Sequence, residues 1–165
     1  MKKFITLYFI FIAILFSVFY VNTNMFSTYI NNNQTNLTLY ILNIFLDPSQ
    51  LKGIDIWINP HYKIIISKAC NGIIPILFLF SSILAYPSRV GHKIFWMFVG
   101  YAVFSLVNVI RILMVVYFVE QQEGKSNFYW SHDIVGNILL LFFGLGLFIT
   151  FIKTSSYKKE SNIGL

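Results

Sequence analysis

Three side chains in this sequence could carry out covalent chemistry together: the thiol of Cys70, the guanidinium of Arg111 and the imidazole of His132. Cys70 stands in Lys68-Ala69-Cys70-Asn71-Gly72, Arg111 in Asn108-Val109-Ile110-Arg111 and His132 in Ser131-His132-Asp133. A thiolate attacks carbonyl carbon, an imidazole takes up and returns protons near neutral pH, and a fixed cation stabilises a developing oxyanion. Such a set suits acyl transfer through a cysteine. Each member also has a plainer role. A lone cysteine in an apolar chain is ordinarily inert filler, and a histidine beside an apolar run is ordinarily an interfacial polar residue. Arg111 is harder to explain away. A charge inside a membrane helix costs at least ~2.5 kcal/mol and must face a partner or a cavity. No acid lies at matching depth in the other apolar runs. Ser105, Asn108 and Arg111 recur at i+3 spacing, so they form one polar stripe on their helix.

The elements that must hold these groups are membrane spans. Of the 165 residues 57% are hydrophobic and only 11% charged, against about 25% charged in an ordinary soluble domain. So few charges cannot cover a globule with solvated surface. Crossing roughly 30 Å of hydrocarbon takes about 20 helical residues. Apolar runs at about 4–21, 72–86, 94–119 and 132–152 meet or approach that length. The fold class predicted is an all-α polytopic transmembrane bundle of about four spanning helices plus an interfacial segment, forming a single integral membrane domain over 1–165. The first run follows Lys2 and Lys3 and has no small-residue cleavage site behind it, which predicts a retained signal anchor. The stretch 22–69 reads as an extracytoplasmic loop. Its Asn-, Thr- and Ser-rich part, Asn22–Asn36, reads as solvated; Leu37–Leu46 as a short interfacial or dipping segment; Ile54–Ile66 as extended or interfacial.

Charge orients this bundle. With both termini cytoplasmic, the inner pieces hold Lys2, Lys3, Arg89, Lys93, Lys153, Lys158 and Lys159, against Lys52, Lys63, Lys68 and Lys125 outside. That asymmetry follows the positive-inside rule and puts all three reactive residues in the outer half of a cell membrane. Cys70 then precedes a helix N-terminus, where the dipole and Lys68 favour the thiolate. Pro75 is compatible with that helix's first turn. His132 opens the last span, where a helix N-terminus favours the neutral, proton-accepting ring and Asp133 partly opposes it.

Other functions find little support. The basic residues are scattered between apolar runs rather than gathered on one face, so nucleic acid is not an expected partner. His61 and His92 have no metal-type spacing with each other or with Cys70, and no phosphate-binding or dinucleotide fingerprint occurs. No cofactor and no metal are expected. Gly136, Gly144 and Gly146 read as close-packing positions between helices.

The order Ala-Cys-Asn-Gly before one membrane helix, Asn-x-x-Arg within the next and His at the start of the following one resembles the exosortase/archaeosortase family. The resemblance covers roughly residues 66–152 and implies a membrane-embedded cysteine transpeptidase. Its expected partners are exported proteins carrying a C-terminal sorting signal made of a short motif, a hydrophobic helix and a basic tail, within membrane lipid. Carried over by position, Cys70 resembles the family nucleophile, Arg111 its intramembrane arginine and His132 its third catalytic residue, with Asn71 and Asn108 in support. Many family members have more helices before this core; this chain resembles the short ones. Two other readings compete. One is a non-enzymatic assembly factor or scaffold, which leaves the Ser105/Asn108/Arg111 stripe without a purpose. The other is a small transporter or channel subunit with Arg111 on an anion path, for which four helices without a duplicated half are few.

Overall fold

The computed structural model describes residues 2–20, 25–47, 49–66, 70–121 and 136–160. Its elements run α1 (Lys2–Phe19), α2 (Met25–Phe45), β1 (Leu51–Lys52), β2 (Asp55–Asn59), β3 (Tyr62–Ile65), α3 (Ile73–Ala85), α4 (Val90–Gln121) and α5 (Gly136–Glu160). Among the described residues three helical stretches are long and apolar enough to cross a membrane: Lys2–Phe19, Val90–Gln121 and Gly136–Ser155. Helix α3 is equally apolar but has only 13 residues, or about 20 Å. The chain is therefore the expected polytopic helical bundle, with its second span shorter than the hydrocarbon and preceded by the turn that carries Cys70.

Helix α3 stops where proline chemistry requires. Tyr86 precedes Pro87 and is extended at φ −76, ψ 135, as the pre-proline clash demands. Helix α4 then runs for 32 residues, about 48 Å, well beyond the roughly 30 Å of hydrocarbon.

The segment between the first two apolar runs differs from its reading as a polar loop and a separate interfacial stretch. Residues 25–45 form one continuous helix. Its Ser27, Asn31, Gln34, Thr38 and Leu42 are buried, while Met25, Tyr29, Tyr40 and Ile44 are exposed. One mostly polar stripe therefore faces inward, while Thr28, Asn32, Asn33, Asn36 and Asn43 are exposed together with the large apolar residues. Packing against other polar groups inside the bundle outweighs the polar composition that suggested a solvated loop. Ser27 Oγ and Asn31 Nδ2 donate to the carbonyl of Phe19 at 2.9 and 2.7 Å, capping the last turn of α1.

The extended reading of Ile54–Ile66 holds. Strands β1, β2 and β3 form an antiparallel sheet in that order, with Asp55 opposite Ile65, Ile56 opposite Ile64 and Trp57 opposite Lys63. Gly53, at φ 63, turns β1 into β2. Alternation gives the sheet two faces. Ile56 and Ile64 pack with Leu42, Leu46 and the Val109/Ile112/Val116 face of α4. On the open face the ammonium groups of Lys52 and Lys63 lie 5.9 and 5.4 Å from the Trp57 ring, and Lys63 Nζ pairs with Asp55 Oδ2 at 2.6 Å. Gln50 Nε2 donates to Glu120 Oε1 at 2.7 Å, tying the sheet to the end of α4.

The opposite end of the bundle is aromatic. Tyr86, Phe148, Phe151, Trp96 and His92 interlock, and the His92 and Phe151 rings stack at 5.1 Å. A second core of Ile76, Leu79, Ile83, Phe104, Val107 and Leu140 joins α3, α4 and α5 between the two ends. Gly100 lets α3 approach α4, because a Cβ there would lie 2.4 Å from Leu79 Cδ2.

Candidate active site

Cys70 sits in a tight turn at the N-terminus of α3. Gly72, at φ 81 and ψ 4, is the residue that turns the chain into the helix. A side chain there would be excluded twice. The left-handed conformation disfavours Cβ, and a Cβ would lie 2.9 Å from Asn108 Cγ. The close approach has a purpose: Asn108 Nδ2 donates to the carbonyl oxygen of Cys70 at 2.9 Å. Asn108 is fully buried, and among the described residues its Oδ1 has no hydrogen-bond partner. The supporting position read from the Asn-x-x-Arg spacing is thus in direct contact with the nucleophile candidate's backbone.

Asn71 anchors the turn from its other side. Its Oδ1 accepts from the Ile73 N–H at 3.1 Å, an Asx turn that satisfies an orphan donor at the start of α3. Its Nδ2 reaches the carbonyl and Oδ1 of Asn31 at 3.4 and 3.3 Å. The Asn71 carbonyl accepts from Gln34 Nε2 at 3.1 Å, and the same nitrogen lies 3.2 Å from Ser105 Oγ. Gln34 Oε1 accepts from the Tyr101 hydroxyl at 2.7 Å. A connected polar network therefore runs through α2, the Cys70 turn and α4, inside an otherwise apolar bundle.

Arg111 lies one turn beyond Asn108 on the same face of α4 and is only 5% exposed. Its side chain runs over Gly136 at the first turn of α5, where a Cβ would come within 2.4 Å of Arg111 Nε and 3.0 Å of Cγ and Cδ. Cys70 and Arg111 thus belong to one end of the bundle, the end covered by the sheet. His132, with Asp133 and Lys68, lies outside the described residues. The chain enters α5 at Gly136, four positions after His132 and in contact with Arg111.

Beside this turn a groove of about 440 Å³ opens between α1, α3 and α5, lined mainly by apolar side chains such as Pro75, Phe78 and Leu141, with Tyr8, Ser82 and Asn137 among them. Pro75 falls in the first turn of α3, as its ring requires. Gly144 allows close packing, with Phe104 Cζ 3.2 Å from the position of a Cβ. Gly146 does not serve as expected, because a Cβ there would meet open space. Among the described residues no cluster of His, Cys, Asp or Glu could hold a metal ion.

Sequence reading missed the α2 contribution. Ser27, Asn31, Gln34, Thr38 and Leu42 follow one another at spacings of four, three, four and four, which is a helical stripe. The period was present in the sequence. The polar composition concealed it, since an inward-facing polar stripe has the same residues as a solvated loop.

A membrane helix bundle that holds a buried arginine and a cysteine turn toward the same end defines a polytopic membrane protein with a candidate thiol site. The transmembrane exosortase family (Exosortase_EpsH) matches residues 2–152, nearly the whole chain, and the chain belongs to that family. No curated protein and no solved structure matches it.

Proposed function

We propose that this chain is a cysteine transpeptidase of the outer membrane–water boundary, acting on exported proteins that end in a hydrophobic sorting signal. The observation that carries the reading is the turn itself: the sole cysteine of the sequence stands just before a helix N-terminus, in a turn held by Asn71 and by Asn108, and Asn108 shares one face of α4 with the buried Arg111. Depth agrees with it. Arg111 stands 21 residues after Val90, about 32 Å along α4. With the cationic Arg89/Lys93 end at the inner surface, the site sits near the outer edge of ~30 Å of hydrocarbon. The rest of α4 then projects outward beneath the sheet.

In the proposed reaction the Cys70 thiolate adds to a substrate peptide carbonyl just outside the substrate's membrane helix. Arg111 stabilises the resulting oxyanion; a fixed cation in a low-dielectric site has more leverage than in water. The C–N bond then breaks, His132 in its protonated form donates to the leaving amine, and a thioester joins the substrate to Cys70. An incoming amine loses its proton to His132, attacks the thioester and releases the thiolate; water in its place gives hydrolysis. The groove beside Pro75 begins one turn from Cys70 and suits side chains of the substrate's hydrophobic segment. Its volume falls within the roughly 300–1,000 Å³ of ligand sites.

The test is labelling of Cys70, the only cysteine, in intact cells with a membrane-impermeant thiol reagent, with and without His132→Ala. Rapid labelling with an apparent pKa well below the ~8.5 of an ordinary thiol, altered by His132→Ala, supports an activated outward-facing nucleophile. A thiol that is unreactive in both proteins, in cells and in detergent, overturns the reading and favours the scaffold.

A further inference from the structure

Two consecutive carbonyls of the Cys70 turn are held by carboxamides from two different helices. Asn108 of α4 donates to the Cys70 carbonyl at 2.9 Å, and Gln34 of α2 donates to the Asn71 carbonyl at 3.1 Å. We propose that Gln34 is a positioning residue for Cys70, bracing the turn from within the helix bundle through the Asn71 carbonyl.

The case rests on how completely the Gln34 amide is used. Its Nε2 serves Asn71 O and Ser105 Oγ, at 3.1 and 3.2 Å, and its Oε1 accepts from Tyr101 at 2.7 Å. Ser105 lies three residues before Asn108, so Gln34 meets the same face of α4 that holds the Cys70 carbonyl. At 2% exposure Gln34 is buried as deeply as the apolar core. Burying a leucine carries no polar desolvation cost, whereas burying a carboxamide does, so packing alone gives no reason for glutamine here. The peptide plane that Gln34 grips joins Asn71 to Gly72, whose left-handed φ of 81 directs the chain into α3. Rotation of that plane would carry Cys70 with it. An unsatisfied buried carbonyl favours such rotation by about tenfold or more. Asn31 supports the same turn through the Asn71 side chain; Gln34 holds the main chain directly.

The role assigned to Gln34 rests on the reading of Cys70 as a nucleophile, yet it is testable without turnover. The full-length chain in lipid nanodiscs would be alkylated with N-ethylmaleimide across the range in which a thiol titrates, about pH 5 to 9. Wild type would be compared with Gln34→Met and Thr38→Val. Methionine matches glutamine in length and makes no comparable hydrogen bond. Thr38 is the next buried polar residue of α2, and among the described residues its hydroxyl bonds only within the helix, to the Gln34 carbonyl at 2.9 Å. The expected result is a change of about tenfold in the Cys70 alkylation rate, with a displaced pH midpoint, in Gln34→Met but not in Thr38→Val. An unchanged rate and midpoint in Gln34→Met overturns the proposal, as does an equal change in Thr38→Val. Should Gln34→Met fail to fold, Tyr101→Phe decides: it removes only the hydroxyl that fixes Gln34 Oε1. A Cys70 alkylation rate and pH midpoint displaced from wild type support the brace, and wild-type kinetics overturn it. Failure of substrate processing with Cys70 alkylation still dependent on Gln34 would refute the transpeptidase reading alone.

Discussion

Substituting Gly136 by alanine disturbs Arg111 without altering any charged or nucleophilic group. The new Cβ would stand 2.4 Å from Arg111 Nε, where ordinary contact begins at 3.4 Å, so the guanidinium stem must retreat by about 1 Å (3.4 minus 2.4). Little room exists for it, since Arg111 is 5% exposed and its Cγ and Cδ are approached to 3.0 Å as well. A displacement of that size in a group aligned with a reacting carbonyl costs on the order of 10²-fold in rate. Helix propensity acts in the opposite direction. Alanine is up to ~1 kcal/mol better than glycine in a helix interior, and some of that gain applies at the first residue of α5. The variant is therefore expected to melt close to wild type while losing about two orders of magnitude in processing of a tail-bearing exported protein. The assay pairs a thermal melt in detergent with a gel-shift measurement of tail removal in cells. Wild-type processing by a folded Gly136→Ala protein would refute the claim that Arg111 must sit where α4 and α5 meet.

Three further outcomes follow from the same geometry. Arg111→Lys keeps the charge but loses the planar fork, so processing should fall severely at unchanged expression; near-normal turnover would reduce Arg111 to a charge-balancing residue. Gly72→Ala places a Cβ 2.9 Å from Asn108 Cγ in a left-handed turn, at a cost of ~1–2 kcal/mol from the backbone alone. It should lower the melting temperature and change Cys70 alkylation, and a silent variant would contradict the described turn. Ile56→Ala empties a fully buried position where the sheet meets α4. It should destabilise the protein by about 2–5 kcal/mol, measured by denaturant or thermal unfolding, and a loss under ~0.5 kcal/mol would argue that the sheet is loosely attached.

The parts of this architecture legible in the sequence are those governed by length and hydropathy. Runs of apolar residues identify α1, α4 and α5 as membrane helices because only a helix satisfies its own backbone in lipid. The Asn108/Arg111 stripe was visible for the same reason: a polar residue in such a helix must have a partner, and one helical face carries both. What stayed hidden was the partner surface. Gln34 and Asn31 look like loop residues when composition is read alone, because burial of a carboxamide depends on groups far away in sequence, here Asn71 and Ser105. The spacing of Ser27, Asn31, Gln34 and Thr38 carried the information, but only the fold shows that the stripe points inward. Similarly, Gly136 reads as an ordinary packing glycine and Gly72 only as the last residue of the cysteine motif. Their significance lies in the side chains of Asn108 and Arg111 that press against them.

The central claim, that Cys70 transfers the acyl part of exported proteins out of their hydrophobic tails, is tested most directly by mapping C-termini. Exported and surface proteins would be compared between cells carrying the wild-type chain and cells carrying Cys70→Ala at equal expression. The account predicts a set of proteins whose C-termini lie just before a hydrophobic segment in the first strain and that keep the whole segment in the second. Identical C-termini in the two strains, with Cys70→Ala folded and inserted, would contradict it.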